Sequence, residues 1–118
     1  MKNVNKVKKA KFFRRQRRTR ASMTGTAVKP RLSVFRSLMH IYVQAIDDVN
    51  RVTVSSVSDK DIKEKGKKVD IAAKVGELLG KKLADKKITE AVFDKGAYKY
   101  HGRVQALADG IRKGGINF

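Results

Sequence analysis

A chain of 118 residues with 29 Lys and Arg against 11 Asp and Glu, a net +18, has room for one compact domain and calls for a polyanionic partner. With no cysteine it has neither a disulfide framework nor a thiolate metal site, and no apolar run approaches the roughly 18 residues of a membrane helix. Its basic N-terminus lacks the apolar stretch of a secretory signal, so the cytoplasm is the expected compartment.

The charge is unevenly spread. Residues 1–30 hold 11 basic side chains and no acidic one, whereas residues 31–118 hold 18 basic and 11 acidic, a net +7. The chain therefore divides into a basic, flexible arm over residues 1–30 and a milder globular domain over residues 31–118. Between Lys6 and Arg20 there is no proline or glycine, and Lys, Arg, Gln and Ala are fair helix formers, yet like charges three and four apart repel. The expectation is a segment frayed when alone that becomes helical against a phosphate backbone, followed by a flexible connector, SMTGTAVKP. A merely solubilising tail would have no use for Phe12 and Phe13.

From residue 31 the pattern has period two. RLSVFR (31–36), HIYVQAID (40–47) and RVTVSSVS (51–58) are rich in β-branched and aromatic residues and separated by short turns, which predicts an antiparallel meander. Ile41, Val43 and Ala45 share one face of the second strand and Tyr42, Gln44 and Ile46 the other, so the sheet needs a helical cover on at least one side. After the polar loop DKDIKEKGKK, Asp70 is a candidate N-cap, and Ile71, Val75, Leu78, Leu79 and Leu83 form one apolar stripe. ITEAVF (88–93) predicts a fourth strand. Val104, Leu107, Ala108 and Ile111 mark a last helix stopped by Gly114 and Gly115. Leu32, Val34, Phe35, Ile41 and Phe93 are expected in the core.

Between the fourth strand and the last helix lies a loop within FDKGAYKYHGRVQALADGIRKGG, residues 93–115. Gly96 and Gly102 enclose five residues rather than four, and Arg103-Val104 stands where Lys followed by Ser or Thr belongs, so this is no Walker motif; nor does GxGxxG follow any strand. What remains is a helix N-terminus ringed by Lys95, Lys99 and Arg103, with Tyr98 and Tyr100 able to stack on bases, a combination suited to RNA. If the fourth strand runs parallel to the first, its C-terminal end brings Lys95 to Arg103 beside Arg36, Ser37 and His40. The same topology is expected to hold Asp47 and Asp48 away from Asp94, against the clustered carboxylates of a metal-dependent nuclease. Bland roles compete at single positions. His101 can hydrogen-bond locally, and no nucleophile motif accompanies it. Asp94 can pair with Arg103 or cap the loop, and one of the two tyrosines is expected to be packed and the other available.

KPRLSVFRS, HIYVQAIDD and the 93–115 segment, preceded by an Arg-rich arm with TGTA, resemble the bacterial form of the eighteenth large-subunit ribosomal protein family, whose members bind 5S ribosomal RNA. The resemblance spans nearly the whole chain with its elements in order. It implies an α/β domain of ribonuclease-H-like topology without nuclease activity, built on a mixed sheet of about four strands with two packing helices. It also implies a structural role that attaches 5S rRNA to the central protuberance of the large subunit. The implied partners are 5S rRNA, 23S rRNA and neighbouring large-subunit proteins, with no cofactor, metal, catalytic residue or membrane, and a monomer when free. The RNA-contacting residues it implies are Arg14, Arg15, Arg17, Arg18 and Arg20 in the arm, Arg31, Arg36, Ser37 and His40 around the first strand, and Lys95, Gly96, Tyr98, Tyr100, His101, Gly102 and Arg103 in the loop. Leu38 and Met39 depart from the family's pattern, which commonly has a polar and then a basic residue after FRS. The competing reading is a general cationic RNA chaperone or DNA-binding protein.

Overall fold

The computed structural model describes residues 4–20 and 24–118, with side chains described for residues 8–17 and 24–118. Helix α1 spans Val4–Arg20, strands β1, β2 and β3 span Arg31–Arg36, Ile41–Asp47 and Val52–Ser58, helix α2 spans Lys68–Asp85, β4 spans Val92–Asp94 and α3 spans Arg103–Lys113. The strands form one mixed sheet in the order β3-β2-β1-β4, with β1 antiparallel to β2, β2 antiparallel to β3 and β1 parallel to β4. This is the α/β class expected, with the helical crossover through α2 returning the chain parallel to β1.

One face of the sheet contributes Leu32, Val34, Ile41, Val43, Ala45 and Val57 to the core, and α2 and α3 cover it with Val75, Leu79, Leu83, Val104, Leu107 and Ile111. Each of these side chains is almost wholly buried, which at about 25 cal/mol per Å² of apolar surface makes this layer the main source of stability. Phe35 departs from the expected core. By alternation it lies on the other face, half-buried and stacked on Tyr42 at 4.7 Å between ring centroids. Phe93 is partly buried at the core margin, stacked on Phe118 at 5.3 Å.

Three local features differ from the sequence reading. Helix α2 begins at Lys68, with Lys67 at its N-cap and no side-chain cap bond; Asp70 lies inside the first turn, where its charge opposes the exposed N–H groups. Strand β4 begins only at Val92, because residues before it pair elsewhere: Asn117 N–H donates to the Thr89 carbonyl at 2.8 Å and Ala91 N–H to the Asn117 carbonyl at 3.0 Å. The connector, expected to be flexible, is tied into the fold over residues 24–30. Gly25 N–H donates to Asp48 Oδ2 at 2.7 Å, Asp48 N–H returns to the Gly25 carbonyl at 2.9 Å, and Val92 N–H donates to the Pro30 carbonyl at 2.9 Å. Gly25 is required by close approach, since a Cβ there would stand 2.2 Å from the Ile46 carbonyl oxygen.

Helices α2 and α3 meet backbone to backbone. A Cβ on Gly76 would lie 2.2 Å from the Leu107 carbonyl oxygen, and one on Gly110 would lie 2.2 Å from that of Ala73. The glycines that weaken the helices as isolated segments are thus what lets them interlock. At the sheet's outer edge, Lys82 Nζ donates to the Ser56 carbonyl at 3.3 Å and Lys86 Nζ to that of Val54, so α2 also reaches round to β3.

Candidate nucleic-acid interface

The site begins where β4 ends. Asp94 is fully buried and its Oδ1 accepts the Gly96 N–H at 2.8 Å, which turns the chain out of the sheet. Gly96 (φ +64°) and Gly102 (φ +55°) take left-handed conformations at the two ends of the loop, where a side-chain-bearing residue would be strained. Lys95 Nζ donates to the Tyr98 carbonyl at 3.2 Å, and α3 starts at Arg103.

The loop and the β1–β2 turn meet as the topology predicted. Arg103 Nη1 donates to the Ser37 carbonyl at 2.9 Å, and the Arg36 guanidinium sits over the Tyr98 ring at 5.5 Å from its centroid. Burial, followed by the Arg36 charge, lowers the Arg103 pKa, with Asp59 acting the other way. The two guanidinium groups therefore repel one another, and among the described residues the buried Arg103 Nε has no hydrogen-bond partner. The turn itself is self-braced. Ser37 N–H donates to the His40 carbonyl at 2.8 Å, His40 N–H donates to Ser37 Oγ at 3.0 Å, and His40 Nδ1 lies 2.9 Å from Asp59 Oδ2. At its tip Leu38 and Met39 are 87% and 68% exposed, and Lys68 Nζ donates to the Leu38 carbonyl.

Tyr98 and Tyr100 divide as expected, one packed and one available. Tyr98 is half-buried against the core margin, whereas Tyr100 is 41% exposed and its hydroxyl accepts from Arg112 Nη1 at 3.2 Å. His101 is exposed, and its N–H donates to the Lys99 carbonyl at 2.9 Å. Along α1, Arg14, Arg15 and Arg17 are exposed; the side chains of Arg18 and Arg20 lie outside the described residues. What sequence reasoning did not place is Phe12. Its ring meets Tyr98 edge-on at 5.6 Å, so α1 is seated against the loop. The visible signal was an aromatic pair inside an otherwise cationic run.

Arg31 faces a different way from the rest. Its Nε and Nη2 donate to the two oxygens of Asp48, each at 3.0 Å, and its Nη1 donates to Asp94 Oδ2 at 2.8 Å. The hydrogen bond to Asp48 is the largest cause raising its pKa, burial opposes it, and Asp94 adds to the rise. A raised pKa on a cation stabilises the fold at all pH values below its ordinary one, so this contribution is constant through the physiological range. The bridge also corrects the expected separation of the carboxylates. Because β4 pairs with β1 from its first residue, Arg31 opposite Val92, Asp94 lies opposite Ser33 near the strand's start rather than its end. Asp48 and Asp94 therefore converge, but on a guanidinium that occupies the space between them. Among the described residues no group of three or more His, Cys, Asp or Glu side chains is arranged to hold a metal ion.

Residues 6–118 match the family model described as ribosomal L18 of archaea, bacteria, mitochondria and chloroplasts. The chain belongs to the ribosomal L18 family. It is 52% identical over 119 residues to the large ribosomal subunit protein uL18 of Staphylococcus carnosus (strain TM300), covering 98% of this chain and 99% of the relative. It is 50% identical over 118 residues to the protein of the same name in Staphylococcus aureus (strain JH9), again covering 98% of this chain and 99% of the relative. L18 proteins are structural rather than enzymatic, so the cationic surface described above belongs to a ribosomal protein.

Proposed function

We propose that this L18 protein binds 5S rRNA and attaches it to the large subunit in the central protuberance, with 23S rRNA and neighbouring large-subunit proteins as further partners. The observation that carries the reading is the meeting of Arg36, Tyr98 and Arg103, two guanidinium groups and a ring on one surface, with the cationic helix α1 beside them. Guanidinium groups that repel one another in the free protein are relieved by a shared phosphate, and Arg and Tyr faces accept unstacked bases. Gly102 leaves the loop backbone open to approach, while the buried Gly96 turns the chain toward it. Arg14, Arg15, Arg17, Arg18 and Arg20 add phosphate-binding groups along α1, which orders fully on the RNA. Ser37 and His40 shape the turn, while Arg31 serves by holding the strand ends in place.

A titration of 5S rRNA and a size-matched structured RNA at several salt concentrations tests this. A preference for 5S rRNA that persists as salt rises is the expected result. Equal affinities that collapse together would instead identify a general cationic RNA or DNA binder.

A further inference from the structure

Where α1 crosses the loop, the two enclose an open cleft of about 460 Å³. One wall is Phe12 and Arg15 of α1; the other is Arg36 of β1 with Tyr98, Lys99 and His101 of the loop. No acidic side chain lines it among the described residues, so its field is positive throughout. Two of the lining side chains, Phe12 and Tyr98, are aromatic. Tyr98 meets Phe12 at 5.6 Å and carries the Arg36 guanidinium over its ring at 5.5 Å, and Phe13 adjoins Phe12 at 5.8 Å. A cleft that sets two aromatic rings beside three cations, Arg15, Arg36 and Lys99, matches a planar base joined to a phosphate.

Resting on the RNA-binding reading above, we infer that this cleft takes one unpaired nucleotide of the bound RNA, its base against Phe12 and Tyr98 and its phosphate between Arg15, Arg36 and Lys99. The site exists only when α1 lies on the loop. Seating the nucleotide therefore stabilises the docked arm, and docking the arm completes the nucleotide's second wall. Arm and domain then bind RNA cooperatively rather than as two independent cationic patches.

The test is 2′-hydroxyl acylation footprinting of 5S rRNA bound to the full chain and to the variants Phe12→Ala and Lys99→Ala. Phe12 lies on the arm outside the core, so its loss leaves the domain folded, which an unchanged melting temperature verifies. The expected result is protection of one or two unpaired nucleotides by the unaltered chain that both variants lose, the rest of the footprint persisting. Phe12→Ala should weaken affinity about tenfold, the scale of one base–aromatic stack. Footprints that are identical, or that fade uniformly, overturn the cleft while leaving RNA binding intact. A chain that leaves no footprint at low salt overturns the RNA-binding reading itself.

Discussion

Replacing Arg31 with Met removes the cation that joins the start of β1 to Asp48 and Asp94 while keeping most of the side chain's apolar volume. The Asp94 side chain is 0% exposed, so breaking this bond leaves a charge in the interior, and a charge-assisted hydrogen bond of this kind is worth about 2 kcal/mol. The Asp48 side chain is 30% exposed and its pairing is partly screened by water, which limits that half to about 1 kcal/mol. The sum, about 3 kcal/mol, matches the usual penalty for breaking a buried pair from one side. In a domain of this size it lowers the melting temperature by about 10 °C. Thermal and urea unfolding followed by circular dichroism measure it. Adding Asp94→Asn to Arg31→Met should recover part of the stability, because the interior charge is removed with its partner. A single variant within about 0.5 kcal/mol of the unaltered chain, or a double variant as unstable as the two single effects added, would refute the assignment of Arg31 to the interior.

Deleting residues 1–20 should lower RNA affinity and flatten its salt dependence by about 0.7 to 0.9 for each phosphate that the arm neutralises, with the domain still folded; an unchanged slope removes the arm from the interface. Arg103→Ala should weaken 5S rRNA binding about tenfold or more, while Lys63→Ala, at an exposed position, should change it little. Equal effects would displace the loop from the site. Changing Leu38 to Asn and Met39 to Lys should steepen the salt slope by about 0.9, and no change would show that this turn does not face RNA. Gly110→Ala should destabilise the fold by about 2 kcal/mol despite a gain of up to about 1 kcal/mol in helix propensity, since the added methyl meets the Ala73 backbone at 2.2 Å. A more stable variant in chemical unfolding would mean that the two helices separate easily.

The sheet order, the apolar stripe of α2 and the meeting of the loop with Arg36 and Ser37 are legible in the sequence because hydrophobic period and crossover handedness report them directly. Long-range polar partners leave no such trace. Nothing in local sequence tells that Arg31 chooses Asp48 and Asp94, since that choice depends on where β4 joins β1, and a three-residue strand has too little period to show its register. The same shortness hides the pairing of Thr89 and Ala91 with Asn117, a residue 26 to 28 positions away. Phe35 is expected in the core and lies outside it because a period-two strand reveals that its faces differ but not which face the helices cover. The seating of Phe12 on Tyr98 belongs to the same class of interaction, one that sequence flags as an oddity without naming its partner.

The lysines reaching from α2 to the edge of β3 bear on the protein's life before it meets RNA. A ribosomal protein is made apart from its RNA, and in that interval an open strand edge is a template on which further copies can stack. Here the carbonyls of Val54 and Ser56, which a neighbouring strand would need as acceptors, already hold the ammonium groups of Lys86 and Lys82. An incoming chain would have to displace both while bringing a second highly cationic molecule alongside the first. The open edge is thus covered partly by two side chains at the opposite side of the sheet from β4 and its loop, and replacing both with apolar residues should leave RNA recognition intact while shortening the time the free protein stays in solution.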